Sequence, residues 1–185
     1  MALKIYTCPE WGARPPAAEP TLVKTSTRII FHHTAGHHPE ISLPGDESEQ
    51  EAFRYAQAIQ AYHMSQGWND SGHNFLVCRN GMVLQGRWMT VAAIQQRRMV
   101  VSAHCPGQND QIGIEHEHQG GEEMTAVQRE ASAQLQAWIA RKYGRRGVLP
   151  VYPHSRFYQT ACPANLAAAI PPIRARAQTI LNQET

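Results

Sequence analysis

This 185-residue chain carries little excess charge of either sign: 17 Lys and Arg stand against 15 Asp and Glu, for a formal net charge of +2. That balance supplies no electrostatic footprint for nucleic acid or for an acidic membrane surface. The cations are scattered, and the short cluster Arg141-Lys142 with Arg145-Arg146 reads as a solvated helix end favourable to the helix dipole. No apolar run approaches the roughly 20 residues that cross a bilayer, so no membrane insertion is expected. The first nine residues lack the apolar core of a secretory signal, and synthesis in the cytoplasm is the expectation. Four cysteines in a chain of this length make no dense disulfide framework. Cys78 lies in an apolar run and reads as a small buried hydrophobe, while a disulfide among Cys8, Cys78 and Cys105 stays open.

What is present alternates between helix and strand. Residues 1–26 are rich in Pro, Ala and Thr and predict an extended arm packed on the domain. Arg28–His32 is a short apolar run suited to a buried strand. A loop through Pro39, Pro44 and Gly45 follows, with His37 and His38 expected at its surface. Ser48-Glu49-Gln50-Glu51 is a capping box, Phe53, Ala56, Ile59 and His63 recur at helical spacing, and Gly67 stops the helix. Asn74–Arg87 predicts a hairpin turning at Asn80-Gly81, and Gln111–His116 another strand. Thr125 caps a second helix with a stripe of Val127, Ala131, Leu135, Trp138 and Ile139. A last helix begins after Pro163 and is interrupted or restarted at Pro171-Pro172. With no repeat and no linker, the prediction is a single α/β domain over 1–185: one mixed central β-sheet flanked by helices.

Chemistry concentrates in two places. His32 ends the first buried strand, where α/β domains keep their sites. His154 lies in a Pro-flanked segment, and Cys162 follows eight residues later, a gap that lets a loop bring both side chains to one ion. Two imidazoles and a thiolate are a ligand set that holds zinc with an open fourth position. Spacing alone also permits the plainer alternative of a hydrogen-bonded core histidine and a buried cysteine.

The ordered segments Trp11-Gly12-Ala13-Arg14-Pro15-Pro16, His32-His33-Thr34-Ala35-Gly36, Gly67–Phe75, Asn80-Gly81 to Gly86-Arg87, Ser102-Ala103-His104, Asn109–Glu115 and Cys162-Pro163 resemble one family. It is the zinc-dependent N-acetylmuramoyl-L-alanine amidases, which share their fold with peptidoglycan recognition proteins. The resemblance implies Zn2+ held by His32, His154 and Cys162, and a peptidoglycan or muropeptide substrate. It implies Thr160 where the family places a Lys or Thr that supports the oxyanion. His73 stands where many members have a catalytic Tyr, while Glu115 matches the glutamate of the cytosolic recycling branch. Glu115 is therefore expected as general base, with His73 as its partner or as an alternative proton carrier. His104, Trp68 and Asn74 are expected to contact substrate, with Trp88 as a further groove or packing aromatic. His33 faces away from His32 and is expected to pack or to support a ligand. A second metal on Glu115, Glu117 and His118 is an alternative.

The implied function is hydrolysis of the amide joining N-acetylmuramic acid to L-alanine, by a monomer acting on the cell wall after release as an endolysin. Alternatives are a cytosolic muropeptide-recycling amidase, an effector delivered to a rival's periplasm, and a non-catalytic peptidoglycan-binding module. Cys162, the ligand that non-catalytic relatives lack, favours the enzyme.

Overall fold

In the computed structural model, which describes residues 3–36 and 48–183, two runs of apolar residues form the centre of the sheet. They are β3 (Ile29–His33) and β7 (Ile112–His116), paired in parallel with Ile29 opposite Ile112 and His32 opposite Glu115. Both are buried on both faces, which explains why their sequences run apolar instead of alternating. Around them lie β1 (Ile5–Tyr6), β4 (Phe75–Val77), β5 (Val83–Gln85) and β8 (Val151–Pro153), giving the order β1-β5-β4-β7-β3-β8. The β4–β5 pair is the antiparallel hairpin that Asn80-Gly81 predicts, with Gly81 at φ +86° and Asn80 Oδ1 accepting from Met82 N–H at 2.9 Å. β2 (Leu22–Lys24) and β6 (Arg98–Val100) form a separate two-stranded ribbon.

The described residues of the arm are tied to the sheet. β1 adds to the sheet edge beside β5, Trp11 is buried, and its indole N–H donates to Gln85 O at 2.9 Å. Trp88, open between groove and packing roles, donates to Arg14 O at 2.7 Å and fastens the arm.

Helix α1 (Glu49–Ser65) starts at the capping box: Ser48 accepts from Glu51 N–H, and the Glu51 carboxylate accepts from Ser48 N–H. It ends where Gly67 takes φ +85°. Its buried face is Ala52, Tyr55, Ala56, Gln60 and His63, with Phe53 and Ile59 half-buried at the margin. The short α2 (Thr90–Gln95) follows β5. Helix α3 (Ala126–Lys142) is capped by Thr125, which accepts from Gln128 N–H. Here the expected stripe needs correction: Val127 is exposed. The first turn instead buries Gln128, whose amide donates to Val77 O at 3.1 Å and Glu117 O at 2.8 Å, and this fixes the helix rotation. Ala131, Leu135 and Ile139 are buried as predicted, and Trp138 is half-buried. After Pro163 a 3-10 turn (Ala164–Ala169) leads to α4 (Ile170–Gln183), restarted with Pro171 and Pro172 in its first turn, where proline lacks only N–H groups that would have no helical acceptor.

No disulfide joins the cysteines. Among the described residues no helix is long and apolar enough to cross a membrane. His37 and His38 lie outside the described residues.

Candidate metal centre

Three elements bring the predicted ligands together. His32 is the fourth residue of β3, His154 opens the 3-10 turn that follows β8, and Cys162 closes the loop beyond it. That loop is pinned by Ser155 N–H donating to Cys162 O at 2.9 Å. One donor atom from each residue lies within 4.8 Å of the others. His32 Nδ1 stands 3.8 Å from Cys162 Sγ. Zinc bonds of 2.0–2.3 Å at tetrahedral angles put neighbouring N and S ligands about 3.6 Å apart, so this pair is near its working separation.

Hydrogen bonding sets which ring nitrogen of His32 is free. Gln111 O can only accept, so His104 Nε2, 3.0 Å away, carries the proton. His104 Nδ1 then accepts from His32 Nε2–H at 2.8 Å, and the His32 lone pair is left on Nδ1, the nitrogen facing Cys162. Burial pushes the pKa of His32 well down and that of His104 down to about 3, so both rings are neutral at neutral pH. Gly113 makes this arrangement possible: a Cβ there would sit 2.6 Å from Cγ and Cδ2 of His104. His104 is thus buried behind His32 with both nitrogens spent on protein partners, which corrects the expected substrate contact.

His154 supplies a direct test of fit. Both its ring nitrogens are buried with no hydrogen-bond partner, and burial lowers its pKa to about 4. An unpaired buried polar group costs about 1–3 kcal/mol, which a bound cation would offset. Its ring stacks on Tyr158 at 5.7 Å, which holds the plane. Cys162 Sγ accepts from His33 N–H at 3.4 Å, so His33 supports the site through its backbone, a contact that strand alternation of side chains does not predict. Burial pushes the Cys162 thiol up to about 12; a divalent cation beside the sulfur reverses that preference and binds the thiolate. The residues present fit zinc.

Beside the ligands, His73 Nδ1 lies 3.0 Å from Glu115 Oε2, and the His73 ring packs edge-on against His32 at 4.5 Å. Burial works to raise the Glu115 pKa, but the charge and hydrogen bond of the His73 ring outweigh it and hold the carboxyl below its ordinary range. The carboxylate is therefore ionised and able to take a proton. His63 belongs to the same cluster, with one ring nitrogen within 4.8 Å of His73 and Glu115 donors, although the sequence placed it only in a helix core stripe. The alternative of a second metal on Glu115, Glu117 and His118 is not realised. Glu117 accepts from Arg79 N–H at 3.0 Å, and His118 Nε2 donates to Glu122 O at 3.0 Å.

Of the remaining candidates, Thr160 is half-buried and its Oγ1 accepts from Cys162 N–H at 3.2 Å, leaving its own proton to donate elsewhere. Trp68 is half-buried, lies over His63, and lines a hollow of about 260 Å³ with Asp70, Arg87 and Ser102. Asn74 is not available to substrate. It is fully buried, with Nδ2 donating to Val100 O and Oδ1 accepting from Gly113 N–H, each at 3.0 Å, so it ties the ribbon to the sheet.

This architecture recurs in solved structures. The N-acetylmuramoyl-L-alanine amidase LysC from Clostridium intestinale superposes with a TM-score of 0.69 at 23% identity, covering 94% of this chain and 96% of that one. Peptidoglycan recognition protein LE, solved in complex with tracheal cytotoxin, a monomeric diaminopimelic acid-type peptidoglycan, gives 0.74 at 24% identity over 91% and 92%. In sequence, peptidoglycan-recognition protein SC2 of Drosophila melanogaster is 34% identical over 95 residues, 50% of this chain and 48% of the relative. The chain thus spans about half the length of the curated relatives it matches. Residues 23–165 match the sequence model of the N-acetylmuramoyl-L-alanine amidases, and the chain belongs to that family.

Proposed function

We propose that this domain is a zinc-dependent amidase that hydrolyses the bond between the lactyl group of N-acetylmuramic acid and the L-alanine of the stem peptide. The observation that carries this reading is the convergence of His32, His154 and Cys162 beside an ionised, buried carboxylate, Glu115. A binding module needs the groove alone; a ligand triad with an adjacent base is what hydrolysis needs.

His32 Nδ1, one ring nitrogen of His154 and Cys162 Sγ would hold the ion. Zinc in such a site lowers the pKa of water to about 7 and polarises a carbonyl as a Lewis acid. Glu115 accepts the proton of the attacking water and returns it to the departing L-alanine amine. His73 holds that carboxylate through the 3.0 Å contact and keeps it ionised. Thr160 O–H donates to the oxygen that becomes negative in the tetrahedral state, its geometry set by the Cys162 N–H on its other side. Trp68, which lines the hollow with Asp70, Arg87 and Ser102, would give a sugar or peptide an apolar wall.

The substrate in this reading is the polymeric wall, reached after release from the producing cell, as an endolysin does. Glu115, shared with the recycling branch, supports a second reading in which soluble muropeptides are the substrate. Turnover compared on intact sacculi and on soluble muropeptides separates the two. Cys162→Ser or His154→Ala should lower zinc content and abolish stem-peptide release from sacculi; full lysis by metal-stripped protein would contradict the proposal.

A further inference from the structure

Helix α1 contributes a residue that the reaction above does not yet use. His63 is buried, and its ring is clamped between Trp68, stacked at 4.7 Å and 20°, and the backbone at Gly72. A Cβ on Gly72 would lie 2.5 Å from Trp68 Cζ3 and 3.3 Å from His63 Cε1, so only glycine lets the chain lie on this stack. Gly72 N–H donates to His63 Nδ1 at 3.0 Å. That nitrogen must carry the lone pair, and the proton of the neutral ring is forced onto Nε2. Burial keeps the ring neutral by lowering its pKa to about 4.

This tautomer decides what the His63–His73–Glu115 cluster is. Its donor spacing, within 4.8 Å throughout, could suit a cation. A cation would need the Nε2 lone pair, however, and so a proton on Nδ1 pointed at the Gly72 N–H. The arrangement opposes a second metal and leaves Nε2 as the donor nitrogen of a ring that belongs to the His73–Glu115 cluster. One bridging water spans a separation of this order.

We propose that His63 is a positioning residue of the amidase, its Nε2–H holding the Glu115–His73 pair in register beside the metal ligands while Gly72 and Trp68 lock its tautomer. The inference rests on the reading that Glu115 and His73 handle the proton. It predicts that His63 affects turnover through Glu115 and leaves the metal alone.

The test uses His63→Phe, which keeps the ring and its stacking but has no N–H, and His63→Gln, which restores a donor near Nε2. On a soluble muramoyl peptide, His63→Phe should lose about 10- to 100-fold in kcat, the range for removing an outer-shell partner, with KM within about twofold and zinc content unchanged. His63→Gln should recover most of the loss. Wild-type kcat in His63→Phe, or a parallel loss of zinc, overturns the proposal. Imidazole 15N shifts of the wild-type protein decide the case even where a variant does not fold: they must show His63 as the Nε2–H tautomer, and an Nδ1–H ring overturns the inference. If Glu115→Gln is itself fully active, the proposed chemistry fails; if Glu115→Gln is inactive and His63→Phe is not, only the role of His63 fails.

Discussion

Replacing His104 by alanine removes the acceptor that fixes the His32 tautomer while leaving all three ligands in place. Two buried hydrogen bonds disappear, His32 Nε2–H to His104 at 2.8 Å and His104 to Gln111 O at 3.0 Å, and His32 is left with an unpaired buried N–H. Neutral bonds contribute about 0.5–1.5 kcal/mol each, and an orphaned buried donor costs about 1–3 kcal/mol. The share felt at the metal should match the 10- to 100-fold loss typical of a ligand's outer partner, about 1.4–2.7 kcal/mol of zinc affinity. Competition against a chelator of known affinity measures it, with the melting temperature followed in parallel. His104→Asn, whose Oδ1 falls near the position of Nδ1, should restore part of the affinity. An unchanged zinc dissociation constant in His104→Ala, with only the melting temperature lowered, would show that the His104–His32 contact is packing and would refute the tautomer argument.

Other outcomes follow from the same geometry. Glu115→Gln should retain zinc and lose most turnover; if His73→Ala is the dead variant and Glu115→Gln stays active, the base is misassigned. Asn74→Ala leaves Val100 O and Gly113 N–H without their partner and should cost about 2–6 kcal/mol in urea unfolding, since orphaned buried groups cost about 1–3 kcal/mol each. Retained stability would mean that the amide does not tie the ribbon to the sheet. Because Cys8, Cys78 and Cys105 are buried and no disulfide is present, a thiol reagent should modify Cys162 alone in folded metal-free protein, slowly at neutral pH because burial raises that thiol, be blocked there by zinc, and count four thiols after denaturation. Fewer than four would reveal a disulfide.

His32, His154 and Cys162 were singled out by the family resemblance, since spacing on the strand end and the return loop alone left a core histidine and a buried cysteine open. The fold brings one donor atom of each within 4.8 Å of the others. Burial alone was not enough to predict roles beside them. His104 and Asn74 occupy motif positions that suggest substrate, yet their polar atoms are consumed inside the fold, and only the Gly113 close approach gives the direction away. His63 was hidden in the opposite sense, since apolar periodicity along α1 made it one more core residue. The exposed Val127 shows the limit of periodicity as well. The buried face of α3 is set by Gln128 and by Ser132, whose hydroxyl pairs with His116 Nε2 at 3.0 Å, polar contacts that no hydrophobic pattern reports. Short elements such as β1, β2, β6 and α2 owe their form to tertiary pairing and have little local signature.

The central claim is that His32, His154 and Cys162 hold a zinc ion that makes this domain an amidase. It is tested most directly by treating purified sacculi with metal-stripped protein, adding back one equivalent of zinc, and assaying new L-alanine amino termini. The account predicts no release without metal, release on zinc addition, and none from Cys162→Ser under either condition. Equal release from stripped protein and from Cys162→Ser would contradict it.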